Sequence, residues 1–329
     1  MRVPVGQVHQ VAGNNNRTMR YYPTPEAGLD LREVNRAIEE AFAEHGRGNV
    51  QMPPKVYITF EHGDFRTMPG YIPSLNTAGV KVVNVHPENP KTGLPTVMAL
   101  TVLLSVQSGI PEAILNATRL TDMRTGAAGA VAAKYLSPSE EITLGVVGSG
   151  RQAGAQVEAT AQELKIRKIL VWSRKEQKAR AFCEKYSQFN CEQVSLERIC
   201  DAEVIVTTTP SRKPLIRDEW IHEGTHINAI GADAPGKEEL DPTILSRAAV
   251  FVDDPAQAVH SGEINVPIRE GLFSGERIRG TLGEVILGKT GRKEKKEITI
   301  FDSTGLAIQD LAIAQIAVKN GECINLKFP

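Results

Sequence analysis

The chain has 329 residues, 41% of them hydrophobic, which is material for two domains with buried cores. Its 38 Lys and Arg residues nearly balance 39 Asp and Glu, for a formal charge of -1, so it lacks the basic excess that a nucleic-acid partner demands. The longest apolar runs, such as Val97–Val106, are broken by Thr101 and Ser105. They fall well short of the roughly 20 residues that cross a bilayer, so no membrane partner is expected either.

Residues 1–30 are polar and weakly patterned, with Asn14, Asn15, Asn16 and Arg17 where a signal peptide would carry its apolar core. The cysteines (Cys183, Cys191, Cys200 and Cys323) form neither a Cys-x-x-Cys pair nor a zinc spacing. The expectation is a cytoplasmic protein with reduced thiols and no metal. The first predicted helix is Leu31–His45, where Val34, Ala37, Ile38, Ala41 and Phe42 recur at the spacing of one helical face. Strands are predicted over Lys55–Phe60, Val80–Val85, Val97–Leu104 and Ala113–Leu115, with turn signals at His62-Gly63-Asp64, Pro87–Pro90 and Ser108-Gly109. Strands in succession point to an antiparallel or mixed sheet.

From Thr118 the pattern is helical and rich in small residues, from Gly126 to Ala133, which allow close approach to another backbone. Ser137-Pro138-Ser139 ends this helix and marks a domain boundary. Beyond it, apolar strands alternate with helices: Ile142–Val147, Ile169–Trp172, Val204–Thr207, His226–Ile230, Val250–Val252 and Ile298–Phe301. The last helix, Leu306–Lys319, is apolar on one face and returns to the first domain.

The strand ending at Val147 enters a helix through Gly148-Ser149-Gly150-Arg151-Gln152-Ala153. Gly148 makes the tight turn, Gly150 leaves room for a pyrophosphate, and Ala153 lets the helix press on the sheet. The helix N-terminus offers free N–H groups to the anion. Because the turn follows a buried strand and precedes another, it reads as dinucleotide-binding. An acid at the end of the second strand would grip the adenosine ribose of NAD. Here the strand ends Trp172-Ser173-Arg174-Lys175, a set that suits a 2′-phosphate, so NADP(H) is favoured and NAD(H) stays possible. Arg174 and Lys175 also read as a solvated helix start.

The sequence resembles the ornithine cyclodeaminase/mu-crystallin family, over about residues 31–320. The resemblance rests on Met52–Tyr57 (Met-Pro-Pro-Lys-Val-Tyr), Asp64–Pro69, Lys81–Pro87, Gly93–Val97, Arg124–Ala128, Thr207–Pro214, Asn228–Lys237 and Phe301–Gly305. It implies an α/β fold with a Rossmann-type doubly wound parallel sheet at residues 139–305. Beside this lies an α+β substrate and dimerisation domain at residues 1–138, joined by residues 306–329, and the assembly implied is a homodimer. Lys81 matches the family's catalytic lysine and Asp233 the aspartate beside the nicotinamide. Arg124 matches a substrate- and cofactor-contacting arginine, with Thr125 next to it. Lys55 and Arg66 match the substrate-binding pair of the alanine dehydrogenase branch, where the cyclodeaminase branch carries an arginine and a glutamate. Residues 1–30 and the missing acid after the second strand depart from the family pattern.

The residue types fit this chemistry. Arg66, Lys55 and Arg124 can hold a carboxylate. Asp233, beyond a strand end, can attract an ammonium and take its proton, and Lys81, crowded by cations, can act as acid and base. Strand-end placement adds Thr208, Thr209, Pro210, Ile230, Gly231 and Ser303 to the cofactor-facing set, beside Arg151 and Gln152 of the turn. Each residue also has a plainer reading: Lys55 as a solvated edge residue, Lys81 as a snorkelling lysine, Arg124 as a salt-bridge residue and Asp233 as a turn cap. The expected reaction is oxidative deamination of a small L-amino acid, with L-alanine to pyruvate and ammonia foremost. Reduction of a cyclic imino acid, cyclodeamination of ornithine, and NADP(H) binding without turnover are the alternatives.

Overall fold

The computed structural model describes residues 18–327; Asn14–Arg17, which bear on the signal-peptide reading, lie outside them. The first sheet is built from β1 (Thr18–Tyr22), β2 (Val56–Phe60), β3 (Gly63–Ile72), β4 (Thr77–Val85), β5 (Val97–Leu104) and β6 (Pro111–Asn116). A C-terminal strand (Ile324–Lys327) completes the order C-terminal strand–β1–β6–β5–β4–β3–β2. All neighbours are antiparallel except β1 and β6, so the sheet is mixed, as the run of strands indicates.

Side chains alternate across a strand, so register decides which residues share a face. Pairing of β3, β4 and β5 sets three rows on the inner face: Asp64–Val85–Val97, Arg66–Val83–Ala99 and Met68–Lys81–Thr101. The outer face carries the row Val56–Thr67–Val82–Leu100. On the inner face lie α2 (Thr118–Leu136) and a C-terminal helix (Ala307–Asn320) that packs on β3, β4 and β5, and α1 (Leu31–Gly46) packs on both of these helices. Asp30 caps α1 by accepting from the Arg32 and Glu33 N–H groups. Ile38, Phe42, Leu115, Val131, Ile308 and Leu311 fill the space between, and Phe42 meets Phe301 edge-on at 6.4 Å.

From residue 141 the strands are β7 (Glu141–Val147), β8 (Lys165–Trp172), β9 (Cys191–Gln193), β10 (Val204–Thr207) and β11 (Arg212–Ile216). They continue with β12 (His226–Ala229), β13 (Glu238–Leu240), β14 (Ala249–Val252), β15 (Ile278–Thr281) and β16 (Thr299–Asp302). Eight of them make a wholly parallel sheet, β15–β14–β16–β12–β10–β7–β8–β9, while β11 pairs with β13 alone. The helices α3 (Arg151–Glu163) and α4 (Glu176–Lys185) follow β7 and β8. Chain order reverses at β7, and the crevice beyond the strand C-termini at such a point is where ligands bind in doubly wound sheets.

The structure corrects the sequence reading in several places. The weakly patterned stretch before residue 30 contains β1, whose Met19 and Tyr22 are buried. The predicted turn His62-Gly63-Asp64 moves back: Gly63 and Asp64 open β3, and Glu61-His62 make the hairpin turn. Cys183 of α4 and Cys191 of β9 are disulfide-bonded rather than reduced, because α4 ends over β9 and brings their Cα atoms to 4.9 Å. Cys200 and Cys323 are free. Among the described residues no helix is long and apolar enough to cross a membrane.

The helix α2 is shared: it packs on α1, on the C-terminal helix and most extensively on α3. Its small residues make this contact possible. A Cβ at Gly126 would run into the Ala155 carbonyl, and one at Gly129 into the Gln156 amide. Gly126→Ala is therefore expected to force α2 and α3 apart and to destabilise the fold by about 1–3 kcal/mol. The measurement is the urea midpoint, which should fall with an unchanged slope; an unchanged midpoint would mean that the helices part at no cost.

Candidate active site

A cavity of about 130 Å³ lies where the inner face of the first sheet meets the strand ends of the second. Arg66 and Met68 of β3, Lys81, Val83 and Val85 of β4, and Val97 of β5 form one wall. Lys55, just before β2, and Thr121, Arg124 and Thr125 of α2 form another. The parallel sheet contributes Ile230 and Asp233 after β12, Ser303, Thr304 and Gly305 after β16, and Gln152 at the start of α3. The five charged residues read from the sequence as catalytic or substrate-binding thus line one space, although they come from five separate segments.

Each cation here stands against an oxygen. Lys55 Nζ donates to the Thr304 carbonyl at 2.6 Å. Arg66 bonds Asp64 through Nε at 2.9 Å and Asp233 through a terminal nitrogen at 3.0 Å, with its guanidinium 5.1 Å from the Tyr57 ring centroid. Lys237 binds the other oxygen of Asp233. Asp310 of the C-terminal helix accepts from Arg124 Nε at 3.0 Å, and its second oxygen lies 2.7 Å from Lys81 Nζ. This last contact departs from good hydrogen-bond angles, so it is an ion contact rather than an aligned hydrogen bond. Gln309 takes the Arg124 terminal nitrogen at 2.8 Å.

Burial and these neighbours set the proton affinities. Burial and then Arg124 push Lys81 down to about 7, against the pull of Asp310. Burial lowers Lys55 to about 8, with Asp253 and Asp233 opposing. Burial favours protonation of Asp233, but Lys237 and Arg66 overcome it and hold the carboxyl well below the usual carboxylate range. Lys81 is thus poised to exchange a proton near neutrality, whereas Asp233 stays charged.

A groove of about 420 Å³ adjoins the glycine turn, lined by Gly148, Ser149, Gly150, Trp172, Ser173, Arg174, Lys175, Lys178, Thr208, Thr209 and Pro210. Gly148 has φ +115°, and a Cβ there would lie 2.5 Å from Thr208 Oγ1. A Cβ at Gly150 would meet nothing within 4 Å, which leaves the turn open, and no side chain caps the N–H groups of α3. Ser173 is held at 2.9 Å by Ser149. Arg151 turns away to Asp122 at 2.8 Å, whereas Ala153 is buried in α3 against β7, where its small side chain lets the helix press on the sheet.

The strand-end loops are tied by buried acids. Glu239 accepts from Thr209 N (2.7 Å), Thr209 Oγ1 (2.6 Å) and Gly231 N (2.9 Å), bracing the loops after β10 and β12. Glu263 accepts from the Glu239 and Leu240 N–H groups, and Asp302 from those of Glu263 and Ile264. Asp253 takes the Thr304 and Gly305 N–H groups at 2.6 and 2.7 Å. Sequence reasoning gave no role to these acids, nor to Tyr57, Asp64, Lys237, Gln309 or Asp310. The available signal for Asp310 was an acid inside an otherwise apolar helix.

Residues 19–322 match the ornithine cyclodeaminase/mu-crystallin family. The chain is 48% identical over 299 residues to the alanine dehydrogenase of Archaeoglobus fulgidus, covering 90% of this chain and 92% of that one. An archaeal alanine dehydrogenase dimer with bound NAD superposes with a TM-score of 0.90 at 45% identity, covering 94% of this chain and 99% of that one. The Thermococcus litoralis Delta(1)-pyrroline-2-carboxylate reductase, in complex with NADH and L-proline, gives a TM-score of 0.90 at 33% identity, covering 94% and 100%.

Replacing Glu239 by Gln puts an amide NH2 in place of one carboxylate oxygen, against either the Gly231 N–H or the Thr209 N–H and hydroxyl. The expected result is a stability loss of about 1–3 kcal/mol together with faster amide exchange at Thr209 and Gly231. Exchange that stays at wild-type rates would show that the two loops are held by other contacts.

Proposed function

The chain belongs to the ornithine cyclodeaminase/mu-crystallin family, and on that footing we propose that it is a nicotinamide-dependent amino-acid dehydrogenase acting on a small L-amino acid, with L-alanine to pyruvate and ammonia foremost. The observation that carries this reading is the convergence of Lys81, Arg124, Asp233, Lys55 and Arg66 on one cavity beside the glycine turn. In this reading residues 139–305 bind the dinucleotide, and residues 1–138 with 306–329 supply the substrate side and the dimer contact.

A dinucleotide fits the residues present: the open Gly150, the uncapped α3 N-terminus and the adjoining groove form an anion cradle. Gly148, Gly150, Thr208, Thr209 and Pro210 would hold it, with Thr125, Gln152, Ile230, Gly231 and Ser303 toward the nicotinamide end. When bound, it supplies the hydride acceptor for the substrate Cα. The protein does the rest. Arg124, Lys55 and Arg66 fix the substrate carboxylate. The permanently charged Asp233 attracts the substrate ammonium, and its low proton affinity shifts its role from proton acceptance toward orientation. Lys81 moves protons at the substrate nitrogen and at the oxygen of the attacking water. Met68, Val83, Val85 and Val97 give the side chain an apolar wall and exclude water.

The cofactor is proposed to be NADP(H) in preference to NAD(H). Ser173, Arg174, Lys175 and Lys178 line the groove and Glu176 is the first acid after β8, while the structural relatives named above hold NAD or NADH. The assembly is proposed to be a homodimer that covers the outer face of the first sheet, where Val56, Ile58, Phe60, Val82 and Leu100 are exposed.

The deciding assay follows nicotinamide absorbance with L-alanine, and in reverse with pyruvate plus ammonia and with pyrroline-2-carboxylate, each with both dinucleotides. Alanine oxidation is expected; turnover of the cyclic imine alone would make the chain an imine reductase. Asp233→Asn should lower kcat by roughly 10²-fold or more with cofactor affinity nearly intact, and wild-type rates in this variant would remove Asp233 from the mechanism.

A second expectation concerns the cofactor. Arg174→Ala should weaken NADP(H) binding roughly 10-fold and leave NAD(H) binding unchanged. An equal effect on both dinucleotides, read by fluorescence titration, would make Arg174 a surface cation without a role in selection.

A further inference from the structure

Lys81 lies fully buried on the inner face of β4, in a row between Met68 and Thr101. A lysine there loses hydration, and its cationic neighbours repel its proton. The charged groups that face it are Arg124 from α2, Lys55 from the segment before β2, Arg66 from β3, Asp233 from the loop after β12 and Asp310 from the C-terminal helix. The anion in contact with Lys81 is Asp310, at 2.7 Å, and the same carboxylate takes Arg124 Nε at 3.0 Å through its other oxygen. One buried acid therefore holds two cations of the site, one on each oxygen.

Its position is set by the fold. Asp310 stands in the first turn of the C-terminal helix, where the helix dipole favours an acid. That helix begins directly after Ser303, Thr304 and Gly305, which line the same cavity. Gln309 fixes the other end of the Arg124 guanidinium.

We propose that Asp310 is a positioning residue, the counter-ion that orients Lys81 and Arg124 and sets the pH at which Lys81 exchanges its proton. The proposal rests on the reading of the cavity as an amino-acid dehydrogenase site. Without the Asp310 charge, burial, Arg124 and Lys55 all act in one direction on Lys81 and favour its neutral form. Its proton exchange then falls below the neutral range. A residue that merely fills space would leave this midpoint where it is.

The test uses the full-length protein with ¹³C-labelled lysine, in which the Lys81 Cε signal is assigned by its loss in Lys81→Met. Its titration midpoint is read in the wild type, Asp310→Asn, Asp310→Ser and Asp310→Glu, with circular dichroism as the fold check; should one neutral variant fail to fold, the other carries the test. The midpoint is expected to fall by about 1–3 pH units in the neutral variants and to return toward wild type with Glu. The Lys81-dependent limb of the kcat/KM profile should move with it. A midpoint unmoved in a folded neutral variant overturns the proposal. A midpoint that falls while the kinetic limb stays supports the role of Asp310 as counter-ion and instead overturns the reading of Lys81 as acid and base.

Discussion

Four cations around one small cavity repel one another, and in a poorly hydrated space that repulsion is weakly screened. Lys55, Arg66, Lys81 and Arg124 can share the site only because carboxylates stand behind them: Asp64 and Asp233 at Arg66, Asp310 at Lys81 and Arg124, and Asp253 near Lys55. The carboxylates come from elements that must meet for this to happen. β3 brings Asp64, the loop after β12 brings Asp233, and the C-terminal helix brings Asp310. The joining of the two sheets is thus an electrostatic requirement of the site as much as a packing arrangement. The donors that line the cavity are thus oriented before any ligand enters, the condition under which an anion binds without reorganising them.

A second set of acids works without cations in contact. Glu239 accepts backbone N–H groups from the loops after β10 and β12, Glu263 accepts from β13, and Asp302 accepts from Glu263 and Ile264. Burial pushes Asp302 up to about 8, and burial with Glu239 raises Glu263 well above its ordinary range. Hydrogen bonds to backbone donors are what make such groups tolerable in the interior. Their effect is to fix Thr209, Gly231 and their neighbours in the crevice where the chain order of the sheet reverses. Loops over an open sheet are ordinarily its most mobile parts. Here a buried side chain clamps the loops after β10 and β12 to each other.

The parts of the fold that the sequence made legible are those where one pattern had one cause. β7, its glycine turn and the strands after it read clearly because parallel strands buried on both faces are apolar runs. β3 did not read as a strand because its inner face is the site itself: Asp64, Arg66 and Met68 alternate with Phe65, Thr67 and Pro69, so polarity carries no strand signal there. β1 and the C-terminal strand are short and lie together at one edge of the sheet, too far apart in sequence for either to announce the other. Lys81, Arg124 and Asp233 were legible through family motifs. Asp310 and Glu239 were not, because their roles lie in whom they touch. A helix with one acid among Ile308, Leu311 and Ile313 looks apolar by periodicity, and only the packed structure shows that the acid faces Lys81. The disulfide had no motif either, since it depends on α4 folding back over β9.

The C-terminal helix shows how closely the two sheets are joined. Its first residues continue from β16, the strand whose end supplies Ser303, Thr304 and Gly305 to the cavity, and its body lies on the inner face of the first sheet against β3, β4 and β5. Asp253 holds the start of this connection through the Thr304 and Gly305 N–H groups, while the Thr304 carbonyl receives Lys55. A displacement of the end of β16 would therefore be felt at once by Lys55, through Thr304, and by Lys81 and Arg124, through Asp310. Three cations of the cavity, Lys55, Lys81 and Arg124, are thus tied to the end of β16 through one short segment, residues 303–310.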